Sequence, residues 1–505
     1  MKRFLAGLLC LFLVCSVCGC RQNDDENPAL SNTPNTMQTN ANTFTVAYNR
    51  EDTLNPFAAK TALNLQLASL LYETPVVIGD DFMPKGNLLT VEMPDATHIV
   101  ATLRKGAVFS DGTAVTAEDV RYSFEAAKQS ANYQALVSNI ATATVKGNTI
   151  TFTLSTADIH ATSNLIFPVL KRSTATEEVA KAPIGSGPYA YDSEKAVLTA
   201  NTRYAATATF ATIGLKHLVN ETAVLQALEN GSISYMYSDL SGEIPRTLAK
   251  TIEVDLTRLT FLGVNGTRPL TADANFRKAL SAAINRTALT ANSYTGRAVA
   301  ATSPFHPKWK VANGVSMIST GDNTALAKQL IAQVLKTPVT TTVATTTAPT
   351  TTATTVTTAT LRELNLIYVT GNTCRESAVK MLVSAFEDVG VTVKPIALSY
   401  ADYIARLQSG DFDLYLGEIQ LLPSLSLNAL LSGAASYGVV AAKTNAAYNA
   451  FVRGEGEMTA FISAFEQEMP FIPLCWRRGL AAYSQAFSSV TPSAFHPYDG
   501  ISEWK

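Results

Sequence analysis

The residues of this chain best suited to catalysis or metal binding are its histidines, two isolated cysteines and a serine between glycines, and their spacing argues against both chemistries. His98, His160, His217, His306 and His496 are scattered. None has a partner at i, i+4, and no cysteine pair accompanies them, as a metal site would require. Ser186 lies in Gly185-Ser186-Gly187, which lacks the spacing of a G-x-S-x-G nucleophile turn. Glu118-Asp119 follows Thr116 at a helix start, where carboxylates satisfy backbone N–H groups. No phosphate loop is present; ENGSIS (229–234) and GSGP (185–188) read as ordinary turns. The sequence therefore calls for no enzyme activity, no cofactor and no metal, and leaves binding as the class of function.

Binding needs side chains held by regular elements, and these are legible. Residues 103–124 (LRKGAVFSDGTAVTAEDVRYSF) read as strand, tight turn and capped helix. Asp111-Gly112 is a turn dipeptide, Thr116 and Asp119 have capping-box spacing, and Val120, Phe124 and Ala127 make one apolar face. Residues 44–48 read as a strand, 49–57 as a loop and 62–72 as a helix with Leu63, Leu67, Leu70 and Leu71 on one side. A hairpin over 145–154 turns at Gly147-Asn148. Phe276, Leu280 and Ile284 repeat at i, i+4, i+8. Further on, strand (364–369), helix (377–389), strand (391–396) and helix (400–407) alternate, which predicts an α/β lobe with a largely parallel sheet. A helix over 458–468 and a strand over 471–476 follow. Residues 337–360 contain only Thr, Ala, Val and Pro; with no periodic apolar face they read as an exposed, disordered loop between a helix (324–335) and the 364–369 strand.

The ends and the composition set the setting. Lys2 and Arg3 precede an apolar run (4–17) of signal-peptide length. Val17-Cys18-Gly19-Cys20 resembles a bacterial lipobox, so Cys20 is expected to be acylated and to become the mature N-terminus. Residues 22–42 are polar and suit a disordered tether. No later apolar run is long enough to cross a bilayer. The formal charge of −2 over 505 residues comes with no basic stripe, which argues against nucleic acid. The folded part is too long for one core and predicts two or three lobes. Cys374 and Cys475 could pair in an oxidising compartment; the favoured reading is two buried free thiols.

The wording of residues 103–124 closely resembles the signature of the family 5 extracytoplasmic solute-binding proteins, the oligopeptide- and dipeptide-binding receptors of ABC importers. Other segments agree in order and spacing. PIGSGPY (183–189) resembles "GTGPY" and NTRY (201–204) resembles "N-x-x-Y". VLQALENGSI (224–233) resembles "ALxAGEID", with Ser234 in place of the acid. In 261–284, Arg277, Ala279, Leu280, Ala283 and Ile284 stand in "VRxALxxAID", with Asn285 replacing the Asp. GDFDL (410–414) resembles "GDYDL". The resemblance covers about residues 44–505, less the Thr-rich insert.

It implies an α/β fold of the two-lobed periplasmic-binding-protein type, the large three-domain variant of type II, with mixed β-sheets flanked by helices. The implied organisation is a lipoprotein signal peptide (1–19), a tether (20–42), domain I in three parts (43–75, 183–260 and 477–505), domain II (76–182), and domain III (261–476) carrying the insert 337–360. The implied function is capture of a peptide or related small solute in an interlobe cleft and delivery to ABC permease subunits. The chain would act as a monomer, held by its lipid anchor on the extracytoplasmic side of a bacterial cell membrane. A peptide-signal sensor, a binder of a metal chelate or sugar, and, from another class, a secreted hydrolase are the alternatives.

By position in the family pattern, the ligand-binding residues are Tyr48, Asn55, Glu418, Gln420, Tyr437, Trp476 and Arg477. Peptide-binding relatives commonly place an Asp, paired with the peptide's amino group, where this chain reads Ile419-Gln420-Leu421-Leu422-Pro423. Glu418 is the nearest acid, and is expected either to substitute for that Asp or to mark a different ligand.

Overall fold

The computed structural model describes residues 43–174, 182–240, 247–336, 338–342, 354–358, 361–431 and 439–505. The expected signal segment, Cys20 and the expected tether lie outside them, as does Tyr437. The chain forms two compact units, one from Met1–Asp255 with Gly479–Lys505 and the other from Leu256–Arg478.

In the first unit, Phe44–Tyr48 lies parallel to Thr212–His217 and, through Val46 and Tyr235, to Tyr235–Ser238. Val197–Ala200 and Tyr189–Asp192 extend one edge antiparallel. On the other side Tyr235–Ser238 pairs antiparallel with Leu480 to Tyr483. The apolar side chains of these strands meet the chain terminus: Trp504 is fully buried and packs edge-on to Phe44 at 5.9 Å. A second sheet, in the order Leu89–Asp95, His98–Leu103, Thr149–Leu154, Ile140–Lys146, is antiparallel throughout. Alternation along Thr149–Leu154 buries Ile150, Phe152 and Leu154 against Val120 and Phe124 of the helix Ala117–Gln129. That helix starts at the expected capping box: Thr116 Oγ1 accepts from Asp119 N at 3.2 Å and the Asp119 carboxylate accepts from Thr116 N at 3.0 Å. Gly112 takes φ +89° in the turn before it.

The expected helix over 62–72 is two short helices, Ala62–Gln66 and Ala68–Leu71. They follow the loop after Phe44–Tyr48. Asn64, buried, accepts from Asn49 N at 2.8 Å and donates to the carbonyls of Asn49 and Thr53 at 2.9 and 3.0 Å. Asp52 accepts from Thr61 N and Oγ1, at 2.8 and 2.7 Å.

In the second unit, Val393–Leu398, Leu364–Val369 and Leu414–Gln420 are parallel in that order. Helices Thr373–Glu387 and Tyr400–Ser409 make the connections, and Gly410 at φ +69° ends the latter in a left-handed cap. The sheet then turns mixed: Lys250–Val264 pairs antiparallel with Leu414–Gln420 from Arg258 to Val264. Phe471–Tyr483, longer than the sequence suggests, is its next neighbour and also receives Ala298–Ala300. Glycine facing an aromatic ring recurs across the antiparallel pair. Phe261 stands opposite Gly417 and Tyr415 opposite Gly263, and a Cβ on either glycine would sit 2.5 or 2.0 Å from the ring.

Two buried arginines pin the helices of this unit through main-chain carbonyls. Arg277 donates to the Met469 carbonyl at 2.9 Å, closing the C-terminus of helix Met458–Glu468. Arg286, fully buried, donates to the Pro473 and Ser281 carbonyls at 2.8 and 3.0 Å. Both cysteines are buried free thiols, as expected.

Two described stretches of the Thr-rich segment depart from the expected disorder. Pro338–Thr342 and Thr354–Thr358 pair as an antiparallel ribbon, Thr341 opposite Thr355. Thr and Val are β-branched, and that stiffness favours extended backbone even without an apolar face.

Candidate functional site

Three of the expected ligand residues, Glu418, Gln420 and Arg477, come together in the second unit. Cross-strand register explains how. Thr260 stands directly opposite Glu418 and Arg258 opposite Gln420, so period-2 alternation puts all four on one sheet face. Arg477 reaches the same carboxylate from the neighbouring strand.

The bonding is dense. Arg477 Nη1 donates to Glu418 Oε2 at 2.8 Å, and Thr260 Oγ1 donates to the same oxygen at 3.2 Å. Arg258 Nη1 lies 3.6 Å from Glu418 Oε1. Arg258 Nε donates to Gln420 Oε1 at 3.2 Å, while Gln420 Nε2 donates to Thr257 Oγ1 at 2.5 Å. The Arg477 guanidinium lies over the Tyr294 ring, 4.7 Å from its centroid. The Glu418 side chain is 18% exposed and that of Arg477 3%.

Electrostatics follow from this packing. Burial by itself would raise the Glu418 pKa, but Arg477, Arg258 and Arg375 outweigh it and hold the carboxyl below its ordinary value. Burial would lower Arg477, yet Glu418 raises it above the ordinary guanidinium value. Cys475 beside them is pushed up to about 12 by burial, so the thiol stays protonated and inert at neutral pH. What the face presents is a fixed set of hydrogen bonds with charge at its centre, not a nucleophile or a proton shuttle. Among the described residues no group of three His, Cys, Asp or Glu is placed to hold a metal ion.

The other expected residues lie elsewhere. Trp476, next to Arg477, points to the opposite face, fully buried, edge-on to His306 at 5.2 Å. Tyr48 is buried at the end of its strand in the first unit, 6.4 Å from the His217 ring. Asn55 shapes its own loop, its side chain accepting from Phe57 N at 3.1 Å. A cavity of about 240 Å³ in the second unit, lined by Leu289, Asp322, Met381 and Asp388 among others, includes none of the network residues.

Sequence reasoning missed Arg258, Thr260 and Tyr294. One signal was available for the first: Arg258 is the single charged residue in the run LTRLTFLGV (256–264), where a central strand carries a charge only if it is paired.

The comparisons fit this architecture. The family model described as bacterial extracellular solute-binding proteins, family 5 (middle part), matches residues 84–435. No curated protein sequence matches the chain. Among solved structures, a nickel ABC transporter from Bacillus halodurans superposes with a TM-score of 0.73 at 17% identity, over 92% of this chain and 99% of that one. NikA from Staphylococcus aureus, in complex with Ni(L-His)2, gives 0.59 at 16%, over 90% and 98%. The oligopeptide-binding protein AppA from Bacillus subtilis, in complex with a nonapeptide, gives 0.57 at 17%, over 91% and 98%. At such identities the likeness is one of fold, and the fold is the mixed α/β fold of those binding proteins.

Proposed function

Because the chain belongs to the bacterial extracellular solute-binding proteins, family 5, we propose that it captures a peptide or a related small solute outside the cytoplasm and hands it to the permease of an ABC importer. The family match over residues 84–435 carries this reading. It acts as a binder and not as an enzyme; the scatter of its histidines and its lone serine turn supports that. A metal chelate is the second ligand class, favoured by the nickel proteins of the same fold. Energy for transport comes from a separate ATPase, since this chain has no phosphate loop.

We assign recognition to the face bearing Glu418, Gln420, Arg258 and Arg477, with Tyr437 a candidate by its position in the sequence. Cys20 carries the lipid anchor, and the chain works as a monomer at the outer side of the cytoplasmic membrane. Several acyl chains on one residue supply such an anchor, since each buried CH2 contributes about 0.8 kcal/mol.

The test is a thermal-shift screen of the purified protein against mixed peptides and nickel–histidine. A ligand at about 100 times its Kd adds about 2.7 kcal/mol to folded-state stability. No shift with either class, together with no small molecule released on denaturation, would sink the reading.

A further inference from the structure

We infer that the cavity among the helices of the second unit is a binding site for a small organic cation, a primary ammonium on a compact apolar body. The inference does not rest on the capture reading and uses none of the residues assigned to it.

The cavity, about 240 Å³, is lined from the start of helix Arg286–Ser293, from the turn at Asp322, and from the C-terminal half of helix Thr373–Glu387. Its floor is apolar: Ile284, Leu289 and Leu382 are all buried. Its mouth is acidic, because Asp322 and Asp388 line it and are exposed. No lysine, arginine or histidine lines it. Among the described residues neither carboxylate pairs with a basic side chain; Asp322 accepts one bond, from Asn285 Nδ2 at 3.0 Å. Asp388 is the C-cap of helix Thr373–Glu387. There the negative end of the helix dipole repels a carboxylate, and a cation is the favoured charge.

The lining selects among ligands. An anion finds no basic partner in it. A bare calcium ion wants six to eight oxygens and gains nothing from an apolar floor. Among the described residues no group of three His, Cys, Asp or Glu is placed to hold a metal. An ammonium is donor-only with three N–H groups, which suits the two carboxylates and the Ser384 hydroxyl at the same cavity. Its organic body removes the floor from water. A cavity of about 150 Å³ holds benzene, so 240 Å³ takes one ring with an aminomethyl arm.

Ligand-observed NMR titration of the purified protein tests this with benzylammonium, its neutral analogue benzyl alcohol, benzoate and calcium. Benzylammonium is expected to bind about fivefold or more tighter than benzyl alcohol, and Asp322→Asn and Asp388→Asn each to weaken it about threefold. Benzoate and calcium should not bind. Two further variants place the site. Asp388→Lys should abolish benzylammonium binding and admit benzoate, and Ala385→Phe, which fills the cavity, should abolish binding of benzylammonium and benzyl alcohol alike. Thermal melting shows that each variant is folded, and the melting shift with peptides or nickel–histidine should be the same in all of them. Equal affinity for benzylammonium and benzyl alcohol overturns the proposal, as does the lack of saturable benzylammonium binding. Full benzylammonium binding by folded Asp388→Lys also overturns it, by placing the amine elsewhere in the protein.

Discussion

Arg477 is held from two sides: its Nη1 donates to Glu418 at 2.8 Å, and its guanidinium plane rests over the ring of Tyr294 at 4.7 Å. A stacked and paired guanidinium is a single mechanical unit, so the two contacts should be energetically coupled. A double-mutant cycle with Tyr294→Leu and Arg477→Met, read by denaturant unfolding, should give a coupling of about 1 kcal/mol. Strict additivity would show that the stack contributes nothing.

The loop 183–189 explains a stability prediction in the first unit. Its glycines lie against the backbone of Leu71: Gly187 N donates to the Leu71 carbonyl at 3.0 Å, and a Cβ on Gly185 would fall 2.0 Å from that same oxygen. Gly185→Ala must push two main-chain segments apart, and should cost about 1–3 kcal/mol or more. Gly147→Ala, at a turn with open space but φ +62°, should cost less, near 1 kcal/mol. Equal, small losses at both sites would contradict the close approach.

Acid should weaken the protein through its histidines before it reaches the carboxylates. Burial lowers the pKa values of His160 and His496 from 6.5 to about 4. Between those values the unfolded ring takes a proton that the folded ring refuses. Their contribution is therefore complete above pH 6.5 and is lost as pH falls toward 4. His496→Gln should flatten the stability profile in that window while leaving the profile above pH 7 unchanged. An unaltered slope between pH 6.5 and 4 would show that His496 titrates normally.

Cys20 supplies a cellular test. Cys20→Ala should move the protein from the membrane fraction to the soluble extracytoplasmic fraction, with no change in the melting of the purified chain. Persistence in the membrane fraction would assign retention to something other than acylation.

What could be read from sequence was whatever local chemistry decides. The Thr116–Asp119 cap, the Asp111-Gly112 turn, the Gly147-Asn148 hairpin and the alternation of strands and helices beyond Leu364 depend on neighbours within a few residues, and the structure has them. The mixed character of the second unit's sheet was hidden because antiparallel pairing joins Lys250–Val264 to a strand far along the chain. For the same reason Glu418, Gln420 and Arg477 were visible by position, whereas Thr260 and Arg258, some 158 and 162 residues from their partners, were not. The Thr-rich segment differs: it has no apolar face, yet β-branching sets backbone preference by itself, and Pro338–Thr342 pairs with Thr354–Thr358.

The second unit is one uninterrupted stretch of chain, entered after Asp255 and left at Gly479. The first is assembled from two stretches far apart in the chain: Leu480–Tyr483 joins its sheet and Trp504 fills its core. Contacts within a single stretch close shorter loops than contacts that span it, so the second unit can order on its own local pairings, whereas the first must wait for residues separated by more than two hundred positions to meet.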